Sequence, residues 1–132
     1  MNAHKYINDI VKTIVNKPFL SILFLLSVFS FIYLEIIYRP FILKLGIYDF
    51  YFSNTYPNIF GLYIATFGSL LVYPTNFAIR RALLITIGFV IYEVMQIFIP
   101  YATFDYMDIA ASIFSFVIFT CTTITARWLN SN

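Results

Sequence analysis

Four long runs of apolar residues constrain the fold of this 132-residue chain more than any other feature of its sequence. Each run is roughly 17 to 20 residues long, the length of α-helix that crosses a hydrocarbon layer about 30 Å thick. We therefore predict one transmembrane domain over residues 1–132, an all-α integral membrane protein built as a bundle of four transmembrane helices. The predicted spans are residues 18–38, 58–73, 82–100 and 109–128.

The composition favours the same class of protein. Hydrophobic residues make up 61% of the chain and charged residues only 11%, whereas a soluble globular domain carries about 25% charged residues. The net charge of +2 is small, and membrane topology explains the basic residues better than nucleic acid does. We expect the lipid bilayer as the partner, and no nucleic acid.

The amino terminus predicts an amphipathic interfacial helix over residues 3–16. Its apolar residues recur at helical spacing, and lysines fall on the opposite face. A helix of this kind suits the cytoplasmic surface of a membrane. The apolar residues are Ile7, Ile10, Val11 and Ile14, and the lysines are Lys5 and Lys12.

Basic residues near the ends of the spans predict the orientation. Six lie on one side of the predicted bundle, namely Lys5, Lys12, Lys17, Arg80, Arg81 and Arg127, and two lie on the other, namely Arg39 and Lys44. The positive-inside rule then gives a multi-pass protein of the cell membrane with both termini cytoplasmic. The aromatic-rich connection 40–57 would face outward, as a short interfacial helix or a re-entrant turn.

Small residues in the second run predict close helix packing. Gly61, Ala65 and Gly68 follow helical spacing, which lets another helix approach closely. The first interpretation is packing within the bundle. The alternative is a seam between two copies of the chain.

The candidate site consists of acidic and polar residues beside apolar sequence. Glu93 lies inside the third run, where a carboxyl group needs a partner, a cavity or a substrate path, and Gln96 lies on the same helical face. Asp105 and Asp108 open the fourth run, and Ser112 continues its polar face. These residues are predicted to converge at one end of two neighbouring helices.

A purely structural interpretation of these residues stays open. An aspartate at the start of a helix satisfies free backbone N–H groups, so Asp105 and Asp108 can act as caps. Glu93 can brace the bundle by hydrogen bonding to Gln96, Ser112 or Ser115.

Other chemistries find no support in the sequence. A site made of carboxylates alone is possible and would favour a hard ion such as magnesium or calcium. No histidine or cysteine accompanies the carboxylates, so no metal site and no cofactor are predicted. No nucleophile has a base partner, and no phosphate-binding loop is present, so no catalytic residue can be named and the chain is not predicted to be an enzyme.

One stretch resembles the VanZ-like family of membrane proteins. The family pattern reads E-x-x-Q, a proline, R-T-F-D-x-x-D and then N-x-x-G. The matching residues are Glu93, Gln96, Pro100, Thr103, Phe104, Asp105 and Asp108. The chain departs from the pattern at Ala102, Ser112 and Ser115. The resemblance implies a divergent VanZ-like protein of the bacterial cell envelope.

Arginine is the residue that the family has at position 102, and Arg39 is the nearest outward-facing base that could replace it. An arginine beside the acids would clamp a phosphate or carboxylate group. Arg39 lies four residues after Glu35, and this spacing also allows a local ion pair between the two.

These features are compatible with three alternative functions. In the first, Glu93, Gln96, Asp105 and Asp108 bind a polar lipid headgroup or a lipid-linked intermediate at the outer leaflet. In the second, the chain is a non-enzymatic membrane subunit that assembles with itself or with a partner membrane protein. The third is an ion or proton path through Glu93.

Overall fold

The computed structural model describes residues 17–73 and 75–129, and every regular element in these ranges is helical. The predicted interfacial helix 3–16 lies outside the described residues. A π-helical turn, Leu34–Tyr38, joins the first two helices, and a short 3-10 helix, Thr75–Phe77, precedes the fourth. The helices are α1 (Pro18–Tyr33), α2 (Arg39–Leu45), α3 (Phe52–Val72), α4 (Ala78–Gln96) and α5 (Tyr106–Leu129).

The first helical segment extends beyond the predicted span 18–38, because α1, the π-helical turn and α2 are continuous over Pro18–Leu45. Pro40 does not end the helix. The backbone N–H of Arg39 bonds to the carbonyl of Leu34 across the π-helical turn, which changes the local hydrogen-bond pattern where a proline would otherwise break it. Gly46 ends the segment with a φ of 63°, a left-handed conformation that glycine adopts without strain.

The second long helix, α3, begins at Phe52, before the predicted span 58–73. The carboxylate of Asp49 accepts hydrogen bonds from the backbone N–H and the hydroxyl of Ser53, at 2.7 and 3.2 Å, and so caps the first turn. Pro57 lies inside the helix as a result. The part of the connection 40–57 that is not helical is thereby reduced to the short loop 46–51.

The last two helices also begin earlier than predicted, at Ala78 and Tyr106, and α4 ends at Gln96, before Pro100. Residues 97–105 form the turn between them. Asp105, at the end of this turn, provides the cap that starts α5, since its side-chain oxygen accepts a hydrogen bond from the backbone N–H of Met107 at 2.8 Å.

The central helix is α3, which packs against α1, α4 and α5, while α4 and α5 also pack against each other. Successive long helices run in opposite directions, because Lys17 at the start of α1 contacts the end of α3 and Asn58 near the start of α3 contacts Glu93 near the end of α4. The bundle therefore has two distinct ends. We call the end with Lys17 and the start of α4 the basic end, and the end with Glu93 and the start of α5 the acidic end.

The surface and the interior have an unusual distribution of side chains. Many large hydrophobic side chains are exposed along the helices, whereas the fully buried ones include Thr66, Ser112 and Ser115. Two helical stretches, Pro18–Leu45 and Tyr106–Thr125, are long and apolar enough to cross a membrane, judged by length and composition.

Lys17 ties the first helix to the end of α3. Its ammonium group donates hydrogen bonds to the backbone carbonyls of Leu70, Leu71 and Tyr73, at 2.7, 3.2 and 2.9 Å. Carbonyls in the last turn of a helix have no donor within the helix, so a cation there supplies the missing bonds.

We expect Lys17→Met to destabilise the detergent-solubilised protein by about 1 to 3 kcal/mol, because charged hydrogen bonds are lost and carbonyls remain without donors. A drop in the thermal unfolding temperature measures this effect. Lys44→Met, at an exposed position at the end of α2, is the matched control and should unfold like the wild type. Equal unfolding temperatures for the two variants would contradict a role for Lys17 in holding the helices together.

Candidate functional site

Glu93 is the centre of the candidate site and is only 2% exposed. It lies near the end of α4, and its carboxylate accepts a hydrogen bond from the side-chain amide of Gln96 at 2.9 Å. Gln96 is partly exposed, so it lies between the buried carboxylate and the end of the bundle. The predicted pairing on one helical face is present.

Asn58, on α3, also belongs to the site around Glu93. Its side-chain amide interacts with the carboxyl groups of both Glu93 and Asp108, and thus joins α3, α4 and α5. Asn58 is 8% exposed. Sequence reasoning missed it, because it stands at the first position of the predicted second span and has the character of a boundary residue. Its helical alignment with Gly61 was the signal that could have placed it inside the bundle.

Asp105 and Asp108 have different roles. Asp105 caps α5 with both its side chain and its carbonyl, which accepts a hydrogen bond from the backbone N–H of Asp108 at 3.1 Å. Asp108 is one turn further into the helix, near Glu93 and Asn58. Its Oδ1 atom is buried and has no hydrogen-bond partner among the described residues.

Ser112 lies one turn below Asp108 on the same face of α5 and is fully buried. Its Oγ atom also has no hydrogen-bond partner among the described residues. Ser115, by contrast, donates to the carbonyl of Ala111 at 2.8 Å. A buried polar group without a partner costs about 1 to 3 kcal/mol, so Ser112 and Asp108 are the positions where a bound group would add most.

Arg39 belongs to a second cluster, between the π-helical turn and α3. It forms an ion pair with Glu35 at 3.4 Å, and Glu35 also accepts a hydrogen bond from the hydroxyl of the fully buried Tyr56. The interactions described for Arg39 are with these two residues. The structure brings Glu93, Gln96, Asp105 and Asp108 together. Ser112 lies one turn from Asp108 on α5, and Arg39 lies with Glu35.

The small residues of α3 contact two different neighbours. A Cβ atom at Gly61 would lie 3.1 Å from the ring of Phe89 on α4, and one at Gly68 would lie 3.3 Å from the ring of Phe24 on α1. Ala65 is exposed between them. The two glycines therefore mark contacts within the bundle on both sides of its central helix.

The site offers mainly hydrogen-bond acceptors. Three carboxyl groups lie close to one another, with the amides of Asn58 and Gln96 beside two and one of them, respectively. Within residues 17–73 and 75–129, no group of three or more histidine, cysteine or acidic residues is arranged to hold a metal ion. A group that donates several hydrogen bonds, such as an ammonium or a set of hydroxyls, fits this chemistry.

Comparisons of the chain with protein-family models, with curated proteins and with solved structures find no match. The resemblance to VanZ-like proteins, carried by Glu93, Gln96, Asp105 and Asp108, stays a prediction. The assignment of function therefore depends on the contacts of these residues.

Proposed function

We propose that this chain is a four-span membrane protein of the cell envelope, VanZ-like in character, that binds the polar headgroup of a lipid or lipid-linked intermediate at its acidic end. Exposed hydrophobic side chains along the helices support insertion, since such a surface matches lipid and not water. The buried polar residues support it too, because small and polar side chains are common where membrane helices meet.

The distribution of charge supports an orientation with both termini in the cytoplasm. All acidic residues of the described part lie at the acidic end, and Lys17, Arg80 and Arg81 lie at the other. The cytoplasmic side of a membrane protein carries the excess of lysine and arginine. The acidic end then faces outward.

We expect a cysteine placed at Asn54, near the start of α3, to react in intact cells with a thiol probe that cannot cross the membrane. A cysteine placed at Asn2 should not react until the cells are opened. Both variants need Cys121→Ser as background, because Cys121 is an exposed free thiol. Labelling at Asn2 but not at Asn54 in intact cells would reverse the proposed orientation.

Headgroup binding is supported by one observation above all, the unpartnered buried oxygens of Asp108 and Ser112 beside Glu93. Helix bracing alone gives no reason to leave these acceptors unsatisfied. Because they are acceptors next to carboxyl groups, the headgroup should present hydroxyl or ammonium donors to them and keep phosphate groups away. Alanine at position 102, where VanZ-like proteins have arginine, is consistent with a site that has no phosphate clamp.

A second candidate, a non-enzymatic subunit that assembles with itself or a partner membrane protein, is favoured by the burial of Glu93. Its interaction with Asn58 links α4 to α3, Asn58 also interacts with Asp108 of α5, and Asp105 acts as a cap. In this function the acids stabilise the bundle.

Native mass spectrometry tests the two candidates. Delipidated protein in a mild detergent is mixed with a total lipid extract from bacterial membranes. Stoichiometric retention of a species with a donor-rich headgroup supports binding, provided that Asp108→Asn abolishes it. If Asp108→Asn retains as much lipid as the wild type, or if the wild type retains none, the result supports the subunit candidate.

A further inference from the structure

A large apolar cleft lies between α1 and α5 against α3, with Ala78 at the start of α4 at one end of its lining. Its volume is about 840 Å³, and its walls include Leu23 of α1, Phe67 of α3 and Ile118 of α5. Phe19, on its rim, is 71% exposed. The cleft lies in the half of the bundle near the basic end, away from the site around Glu93.

Two cations stand on either side of Tyr73 at the basic end of this cleft. The ammonium group of Lys17 bonds to the carbonyls of Tyr73 and of Leu70, and Leu70 lines the cleft. The guanidinium of Arg81 stacks over the ring of Tyr73 at 4.2 Å from its centre. Neither cation lines the cleft, but Lys17 lies two residues before Phe19, and Arg81 lies one turn after Ala78, so positive charge adjoins the apolar lining.

Polar groups at the same rim are suited to an anion. The Nε–H of Arg81 is buried and has no acceptor among the described residues, so a guanidinium donor is available there. Thr75 and Asn76 also line the cleft. Arginine is a common ligand of phosphate, because its planar guanidinium donates parallel hydrogen bonds to two oxygens.

We propose that this cleft binds an anionic phospholipid of the inner leaflet, with an acyl chain between α1 and α5 and the phosphate at the Arg81 guanidinium. Lys17 adds positive charge nearby, while its three N–H donors stay bonded to the carbonyls at the end of α3. Charge complementarity selects this occupant, because an apolar partner helix or a second copy of the chain would leave the Arg81 donor unsatisfied. Basic pockets between membrane helices on the cytoplasmic side bind acidic headgroups in this way. The inference depends on the proposed membrane insertion and is independent of headgroup binding at Asp108.

The test compares phosphatidylglycerol with diacylglycerol, which has the same acyl chains but no phosphate, each added to delipidated protein in a neutral detergent. Phosphatidylglycerol should bind more tightly and raise the thermal unfolding temperature more. Arg81→Gln should weaken phosphatidylglycerol binding by roughly tenfold or more, the effect of one lost charged hydrogen bond, and should leave diacylglycerol binding unchanged. Arg81→Lys should restore part of the preference because the charge remains.

Two matched controls locate the site. Arg80→Gln removes the same charge from an exposed neighbour and should have little effect; a loss equal to that of Arg81→Gln would mean that only diffuse surface charge attracts the lipid. Thr122→Trp fills the cleft, because Thr122 lines it, and should reduce binding of both lipids. Thr125→Trp, exposed on the same helix and outside the lining, should reduce neither.

Other outcomes overturn the proposal in recognisable ways. Equal affinity for the two lipids would show that the protein makes no favourable contact with the phosphate. A dimer of the wild-type protein that Thr122→Trp dissociates would make a second copy the occupant. A chain that purifies in soluble form without detergent would overturn membrane insertion itself, whereas loss of binding at Asp108 alone would leave this site intact.

Discussion

Glu93→Gln and Asp108→Asn are each expected to lower retention of the donor-rich headgroup at the acidic end by roughly ten- to a hundredfold, the range for a charged hydrogen bond in a buried site. The thermal unfolding temperature should change little. Glutamine at position 93 still offers an oxygen to the amide of Gln96, and asparagine at position 108 keeps an oxygen near Asn58. The two variants therefore remove charge and preserve most of the contacts between α3, α4 and α5.

Glu93→Leu provides the contrast. Leucine has similar size but no acceptor, so the amides of Gln96 and Asn58 lose a partner, at about 1 to 3 kcal/mol for each buried group left unsatisfied. This variant should lose both stability and binding. If Glu93→Gln instead unfolded as easily as Glu93→Leu, the charge itself would stabilise the bundle, and the subunit candidate would replace headgroup binding.

Gly61→Leu and Gly68→Leu should each destabilise the bundle by about 1 to 3 kcal/mol, the usual cost of forcing extra side-chain atoms into a close contact. At Gly61 the first added carbon already meets the ring of Phe89 at 3.1 Å, and at Gly68 it meets the ring of Phe24 at 3.3 Å. The remaining atoms of leucine would push α3 away from α4 or from α1. Thermal unfolding in detergent, together with the yield of folded protein, measures the loss.

Gly88 supplies the matched control for the glycine variants. It lies in α4, and a Cβ atom there would meet nothing within 4 Å. Gly88→Leu should therefore be neutral or slightly stabilising, because leucine favours the helix more than glycine does. Equal yield and stability for all three variants would show that the contacts at Gly61 and Gly68 adapt without cost.

The helical class could be predicted from the length and hydropathy of the runs, but the ends of the helices could not. Sequence reasoning treats Pro40 and Pro57 as boundaries, since proline lacks a backbone donor. A π-helical turn before Pro40 and the Asp49 cap before Pro57 carry both helices past these positions. Each depends on local hydrogen bonds that no periodicity reveals.

The acidic part of the site could be predicted because charge is rare in apolar sequence and Glu93, Asp105 and Asp108 are conspicuous there. Asn58 could not, because its importance arises from the packing of α3 against two other helices. The placement of Arg39 likewise depends on Tyr56, which reaches Glu35 from α3. The role of Asn58 and the placement of Arg39 are both determined by contacts between residues that are far apart in the sequence.

The π-helical turn before Pro40 determines which face of the following helix, α2, packs against the bundle. A π-helical turn contains one residue more than the α-helical turn it replaces, so deleting a residue between Leu34 and Tyr38 would rotate everything after it by about 100°. Ile42, now buried, would then turn away from the bundle, and Pro40 would fall within a regular α-helix. Homologues that are one residue shorter in this segment should therefore have their gap between Leu34 and Tyr38, and an alignment that places the gap elsewhere would pair the wrong faces of the helix.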